Sequence, residues 1–285
     1  MSKVFLILSL MYFSLPTDAV EISEQGGGSG VLQAHDQVSE FTQMNRWDRY
    51  TRDREKLIHQ GKLNRKKSSG AHAMFAFPLK NSLDNLGYYG TSNFVDQNAS
   101  FPDQLADYNG GMRTYDLIDG YNHQGIDYFT WPHAWYKMDQ DQVHVVAAEA
   151  GVITTKLDGN YDRSCSFDDP NDEGWNAVYI THADGSYAWY GHLKNGSLTT
   201  KSVGKSVDVG EYPGVVGSSG TSTGPHLHFE TYDATDNLIE PHFGAFNILN
   251  DDSWWRDQKP YYESRLNELM IHAEEPQFFN VCRCR

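Results

Sequence analysis

The chain is 285 residues long, with 39% hydrophobic, 13% aromatic and 21% charged residues, which supports a sizeable core and excludes a largely disordered chain. Its formal net charge of −15 argues against a nucleic-acid partner, because there is no cationic excess to release counterions from phosphates. The first stretch, MSKVFLILSLMYFSLPTDAV, has one lysine, an apolar run from Val4 to Leu15 and a small-residue Thr17-x-Ala19 pattern. That is the layout of a secretory signal peptide over residues 1–19. The run is shorter than the roughly 20 residues that span a bilayer. No other segment is long and apolar enough, so the expectation is a secreted or periplasmic/cell-envelope protein with no membrane span.

GGGSG at 26–30 has a linker composition. Val31, Val38, Phe41, Met44, Trp47 and Leu57 then recur at roughly helical spacing, which predicts a helix over 31–60. GKLNRKKSSG at 61–70 is basic and flanked by Gly and Ser, suited to a linker or a proteolytic nick. Residues 20–73 therefore read as an N-terminal helical extension or a propeptide. From Met74 the character changes. MFAFPLK, HVVAAEAGVITTKL, NAVYITHA, SYAWYGHL and GVVGSS are short β-rich runs split by turn residues, which predicts an antiparallel sheet or sandwich over 74–250. YYESRLNELMIHAEE returns to helical spacing, so 251–285 reads as a C-terminal helical extension. The fold class is mainly β. Three cysteines, Cys165, Cys282 and Cys284, suit one disulfide from Cys165 to either tail cysteine, with one thiol left over.

The chemistry concentrates in three short blocks. In GPHLHFET, 224–231, strand alternation sends Leu227 and Phe229 to one face and His226 and His228 to the other. In NHQGIDYF, 122–129, His123 and Asp127 are an even number apart and share a face of an extended strand. In AWYGHLKN, His192 ends an alternating run. A catalytic zinc takes three protein ligands and leaves one position open. His123, Asp127 and one histidine of the 226/228 pair supply that count, leaving the other histidine and His192 for acid/base or oxyanion roles. The helix-borne HExxH arrangement is absent.

The ordered set HxGxD, Y-x-H and GSSGTSTGPHLHFE resembles the lysostaphin/LytM-type zinc metallopeptidases, which include β-lytic endopeptidases. The resemblance runs from about Phe75 to Phe243 and includes the FPL entry, the AAEAGVI and WNAVYI strands and the EPHFG exit. It implies a β peptidase core with an open groove and zinc held by His123, Asp127 and His228. It also implies that His192 and His226 activate the water and stabilise the oxyanion. The family's usual substrates are peptidoglycan cross-bridge peptides, often Gly-rich, or Gly-rich proteins. The rival reading is a non-catalytic wall-binding member that activates an amidase. Such members lose ligands, and here all five positions are filled. DGNYDRSCSFDDPNDEGWNAV, 158–178, is longer and more acidic than the usual family connection and reads as a cleft rim. Tyr115, Tyr121, His133 and the TWPHAWY aromatics at 130–136 read as structural. Glu230 reads either as a partner of His228 or as an ordinary strand carboxylate.

Overall fold

The computed structural model describes residues 36, 38–64, 71–83, 87–167 and 174–262. Helix α1 (Glu40–His59) precedes strands β1 (Leu79–Asn81), β2 (Tyr89–Asn93) and β3 (Gly125–Thr130). Helix α2 (Ala134–Asp139) follows, then β4 (Val143–Val145), β5 (Gly151–Leu157), β6 (Ala177–His182) and β7 (Tyr187–Gly191). The last strands are β8 (Ser206–Val207), β9 (Gly214–Val215), β10 (His226–Tyr232) and β11 (Leu238–Ile239). Eight strands form one antiparallel sheet in the order β2-β3-β10-β7-β6-β5-β8, with β11 added to β10. A small second sheet has the order β1-β4-β9. The mainly β, antiparallel expectation holds.

The large sheet has two dissimilar faces because its strands alternate. Ile126, Tyr128, Val178, Ile180, Ala188, Tyr190, Leu227 and Phe229 enter the main core with residues of the small sheet. The opposite face carries Tyr179, Tyr187, Trp189, Glu230 and Tyr232, and here the helix packs. Tyr50 is fully buried against Tyr179, Tyr187 and Trp189, while the Trp47 ring lies 4.6 Å from that of Tyr232 and 5.4 Å from that of Trp189. Burying an aromatic of this size contributes about 1.5–3 kcal/mol. The aromatic part of the sheet face beside the histidines is thus packed against α1.

The helix also departs from the sequence reading in extent and in face. It begins at Glu40 because the Ser39 hydroxyl accepts from the Thr42 amide, an N-cap that ends the extended approach. Phe41 and Met44 are 73% and 59% exposed, whereas Gln43, Arg46, Tyr50 and Leu57 are buried. The buried face is partly polar because it lies over a polar site, so apolar periodicity points to the wrong side of the first turns. Residues 251–262 contain no helix, and Trp254 and Trp255 pack into the main core beside Phe75. Most of the helix expected near 261–275, and the signal peptide expected at 1–19, lie outside the described residues. Cys165 is disulfide-bonded, to a partner outside the described residues.

Candidate metal centre

Strand register builds the site. The β3–β10 pairing sets Asp127 directly opposite His228, and the β10–β7 pairing sets His228 opposite Gly191, one residue before His192. His123 stands two residues ahead of β3. His192 adopts a positive φ of 59°, a conformation few non-glycine residues take. Its ring lies over that of His226, with centroids 4.4 Å apart. The glycine of HxGxD has a physical reason: a Cβ on Gly125 would lie 2.6 Å from the His228 ring.

All four histidines are fully buried, and each has one ring nitrogen held by an acceptor outside the site. Nδ1 of His123 donates to the Phe94 carbonyl at 2.8 Å, that of His192 to Ser219 at 2.6 Å and that of His226 to Gly224 at 2.8 Å. For His228 it is Nε2 that donates, to the Glu230 carboxylate at 3.1 Å. The other nitrogen of each ring faces inward, toward the carboxylates or the neighbouring rings. His228 Nδ1 lies 3.0 Å from Asp127 Oδ1, and His123 Nε2 lies 3.2 Å from Asp127 Oδ2. Asn93 Nδ2 donates to the same Oδ2 at 2.9 Å.

A fourth donor comes from the N-terminal segment. Asp36 forms an antiparallel β-bridge with Ser222, and its carboxylate reaches His228 Nδ1 at 3.4 Å, His192 Nε2 at 3.4 Å and His123 Nε2 at 3.7 Å. Ligand atoms of Asp36, His123, Asp127 and His228 all lie within 4.8 Å of one another. His226 Nε2 stands slightly apart, 3.8 Å from Asp127 Oδ1. Asp36 Oδ1, His123 Nε2 and His226 Nε2 are buried without a hydrogen-bond partner. Buried polar atoms left without a partner are unfavourable, and a cation between them would supply one.

The electrostatics point the same way. Burial works to raise the Asp36 carboxyl, yet the charge on His228 and the hydrogen bond from His192 hold it well below the usual carboxylate range. Asp127 is likewise held low against burial, chiefly by His123. Burial works against charge on His228, but Asp36 and Asp127 pull its pKa up to about 10. His123 is raised by Asp127 against the same burial penalty. His226 goes the other way: burial, with His192 beside it, depresses it to about 3, so its imidazole is neutral. The pocket keeps two carboxylates ionised and draws positive charge to their centre.

Sequence reasoning therefore names five residues that the fold brings together: His123, Asp127, His192, His226 and His228. It misses Asp36 and Asn93. No local motif marks either residue, since each reaches the site through register between distant segments. Of the residues read as structural, Tyr115 lies against His123 with ring centroids 4.5 Å apart, and Tyr121 is buried. His133 occupies the N-cap position of α2 and is outside the donor cluster, and Trp135 is buried. Glu230 is fully buried against His228. In the 158–178 stretch, Asn160, Gly174 and Trp175 line a cleft of about 860 Å³ together with Arg46 and Arg49 of α1.

A buried centre of two imidazoles and two carboxylates, with two further histidines alongside, has a donor set that could hold a cation and is set on an antiparallel sheet. Residues 121–241 match the family described as Peptidase family M23. Among curated proteins it is similar to the DD-carboxypeptidase/endopeptidase Mpg of Neisseria meningitidis serogroup B and of Neisseria gonorrhoeae. Each is 36% identical over 122 residues, which is 42% of this chain and 22% of the relative. The matched stretch thus spans less than a quarter of those proteins. Among solved structures, the catalytic domain of lysostaphin from Staphylococcus simulans is 23% identical over 54% of this chain and 89% of that chain, with a TM-score of 0.34. The catalytic domain of the prophage-encoded M23 protein EnpA from Enterococcus faecalis is 25% identical over 51% of this chain and 91% of that chain, with a TM-score of 0.31.

Proposed function

We propose that the chain is a secreted zinc metalloendopeptidase that hydrolyses peptide bonds in peptidoglycan cross-bridges or Gly-rich peptides. The observation that carries this reading is the donor set. His123 Nε2, Asp127 and His228 Nδ1 are buried and converge, and the outward nitrogens of the two histidines are already committed. Imidazole nitrogen and carboxylate oxygen are ligands zinc accepts, and three of them leave one position for chemistry. When bound in such a site, zinc supplies a Lewis acid that polarises a carbonyl and lowers the pKa of water to about 7.

The remaining work falls to the chain's own side chains. His226 keeps its proton on Nδ1 for the Gly224 carbonyl and offers Nε2 as a base. His192 is locked in the same sense by Ser219, and its Nε2 lies 3.4 Å from Asp36 Oδ2. An oxygen at the place of that Oδ2 lies within reach of His192 Nε2, which can take a proton from water and, carrying it, donate to a developing oxyanion. Asn93 fixes Asp127, and Trp175 packs edge-on against His192 with ring centroids 5.3 Å apart, keeping the ring from turning.

Residues 36–64 serve in this reading as a removable cover. Asp36 lies across the site as an extended strand would, bridged to Ser222, and α1 shields the aromatic surface beside it. The basic stretch at 61–70 is the place for a nick. The wall-binding alternative is disfavoured by the filled ligand set.

The test is direct. Zinc-loaded protein beginning near Ala71 is incubated with a pentaglycine peptide and, separately, with peptidoglycan, and new amino ends are counted. Release of amino ends from at least one substrate is expected. A zinc-loaded, uncovered chain that cuts neither contradicts the endopeptidase assignment.

A further inference from the structure

Each site histidine is held from behind, but not by the same kind of group. His123, His192 and His226 donate to backbone carbonyls, of Phe94, Ser219 and Gly224. Of the four, only His228 has a side-chain carboxylate behind it: its Nε2 donates to Glu230 Oε2 at 3.1 Å. That carboxylate is fully buried on the sheet face opposite the main core, two residues along β10 from the ring it touches. A buried carboxylate is costly unless it is fully partnered, and this one is. Its Oε1 accepts from Gln43 Nε2 at 2.7 Å and from the Tyr232 hydroxyl. Gln43 also donates to Gln124 Oε1 at 3.0 Å, inside the HxGxD block itself.

We infer that Glu230 is a positioning residue for metal binding: it selects the His228 tautomer that leaves Nδ1 free as a ligand. This deepens the zinc reading and rests on it. The reason lies in what else His228 could do. Its Nδ1 is 3.0 Å from Asp127 Oδ1, so a proton on Nδ1 would have a ready acceptor there. That tautomer would tie up the ligand atom in a hydrogen bond to a fellow ligand. Glu230 offers the ring proton a second anionic acceptor on the far side, and the proton then resides on Nε2. A carboxylate behind an imidazole also makes it a better electron donor to a metal, a role such partners commonly fill with effects of 10–100-fold on metal affinity. The backbone carbonyls behind the other three histidines fix orientation without adding charge. Gly125 belongs to the same arrangement, since its missing side chain leaves room for the ring edge, Cε1 and Nε2, that faces Glu230.

The test compares full-length wild type, Glu230→Gln and Glu230→Ala by competing zinc against a chromophoric chelator. Cobalt(II) replaces zinc in a parallel set, to read the ligand field by visible absorption. Glutamine keeps the shape and a neutral acceptor, so Glu230→Gln is expected to fold with a wild-type thermal transition in the metal-free state. Its zinc affinity is expected to fall roughly tenfold, with a shifted cobalt spectrum, and Glu230→Ala to fall by up to about 100-fold. Wild-type zinc affinity and an unchanged cobalt spectrum in folded Glu230→Gln would overturn the inference and leave Glu230 a packing residue. That result is separable from failure of the zinc reading itself, in which the wild-type chain takes up no zinc at all.

Discussion

Removing residues ahead of Ala71 is expected to raise peptidase activity by about 100-fold over the intact chain. Asp36 places its carboxylate among His123, His192 and His228, at 3.4–3.7 Å from their inward nitrogens. A substrate carbonyl cannot reach those groups while it is there. The cover is anchored by Tyr50 and Trp47 on the aromatic sheet face, by Tyr50 hydroxyl to Thr181 at 3.1 Å, and by Arg54 to Asp236 at 2.8 Å. Full burial of Tyr50, at about 1.5–3 kcal/mol, together with the partial burial of Trp47 offsets the roughly 2.7 kcal/mol that confines the uncovered form to about 1%. Activity is reduced by that fraction, which sets the expected gain on release. Asp36→Ala in the intact chain should give a smaller gain, because α1 still covers the surface. Initial rates on a pentaglycine peptide for the intact, Asp36→Ala and Ala71-start forms check this. Equal rates for the first and last would remove the cover role and leave a simple N-terminal extension.

Turnover should separate from metal content at the two histidines of HLH. His228 Nδ1 belongs to the donor cluster, whereas His226 Nε2 stands 3.8 Å from Asp127 outside it. His228→Ala is expected to lose both zinc and activity. His226→Ala is expected to keep zinc and lose at least roughly a hundredfold in turnover, the usual worth of a positioned proton-transfer group, and His192→Ala to behave likewise. Zinc analysis and peptide cleavage on the three uncovered variants decide the matter. Zinc lost in His226→Ala but kept in His228→Ala would invert the assignment. Full activity in both His226→Ala and His192→Ala would remove their proton-transfer role.

How much of this could be read in the chain depends on how local each relationship is. The alternation of Leu227 and Phe229 against His226 and His228 is a property of one strand, and the folded β10 keeps it. The spacing of His123 and Asp127 is equally local. Cross-strand pairing of Asp127 with His228 links residues 101 apart in sequence, and only the motif resemblance joins them in advance. Asp36 and Asn93 were not legible because neither has a patterned neighbour; one reaches the site by an isolated bridge and the other by the end of β2. Gln43 and Arg46 escaped for a different reason. They are polar residues buried on a helix that packs over a polar site, with Arg46 stacked 3.4 Å from the Trp175 ring centre, and a hydrophobic stripe is blind to that face. Glu230 is intermediate: alternation puts it on the His228 face, but its contact with Nε2 needs the folded geometry.

The central claim is that His123, Asp127 and His228 form a zinc site to which Asp36 is an addition and not a requirement. Elemental analysis of mildly purified wild type, Asp36→Ala, His123→Ala and Asp127→Ala tests it most directly. The account predicts one zinc per chain in the first two and loss of zinc in the last two. Wild-type protein without zinc, or zinc retained after both His123→Ala and Asp127→Ala, would contradict it.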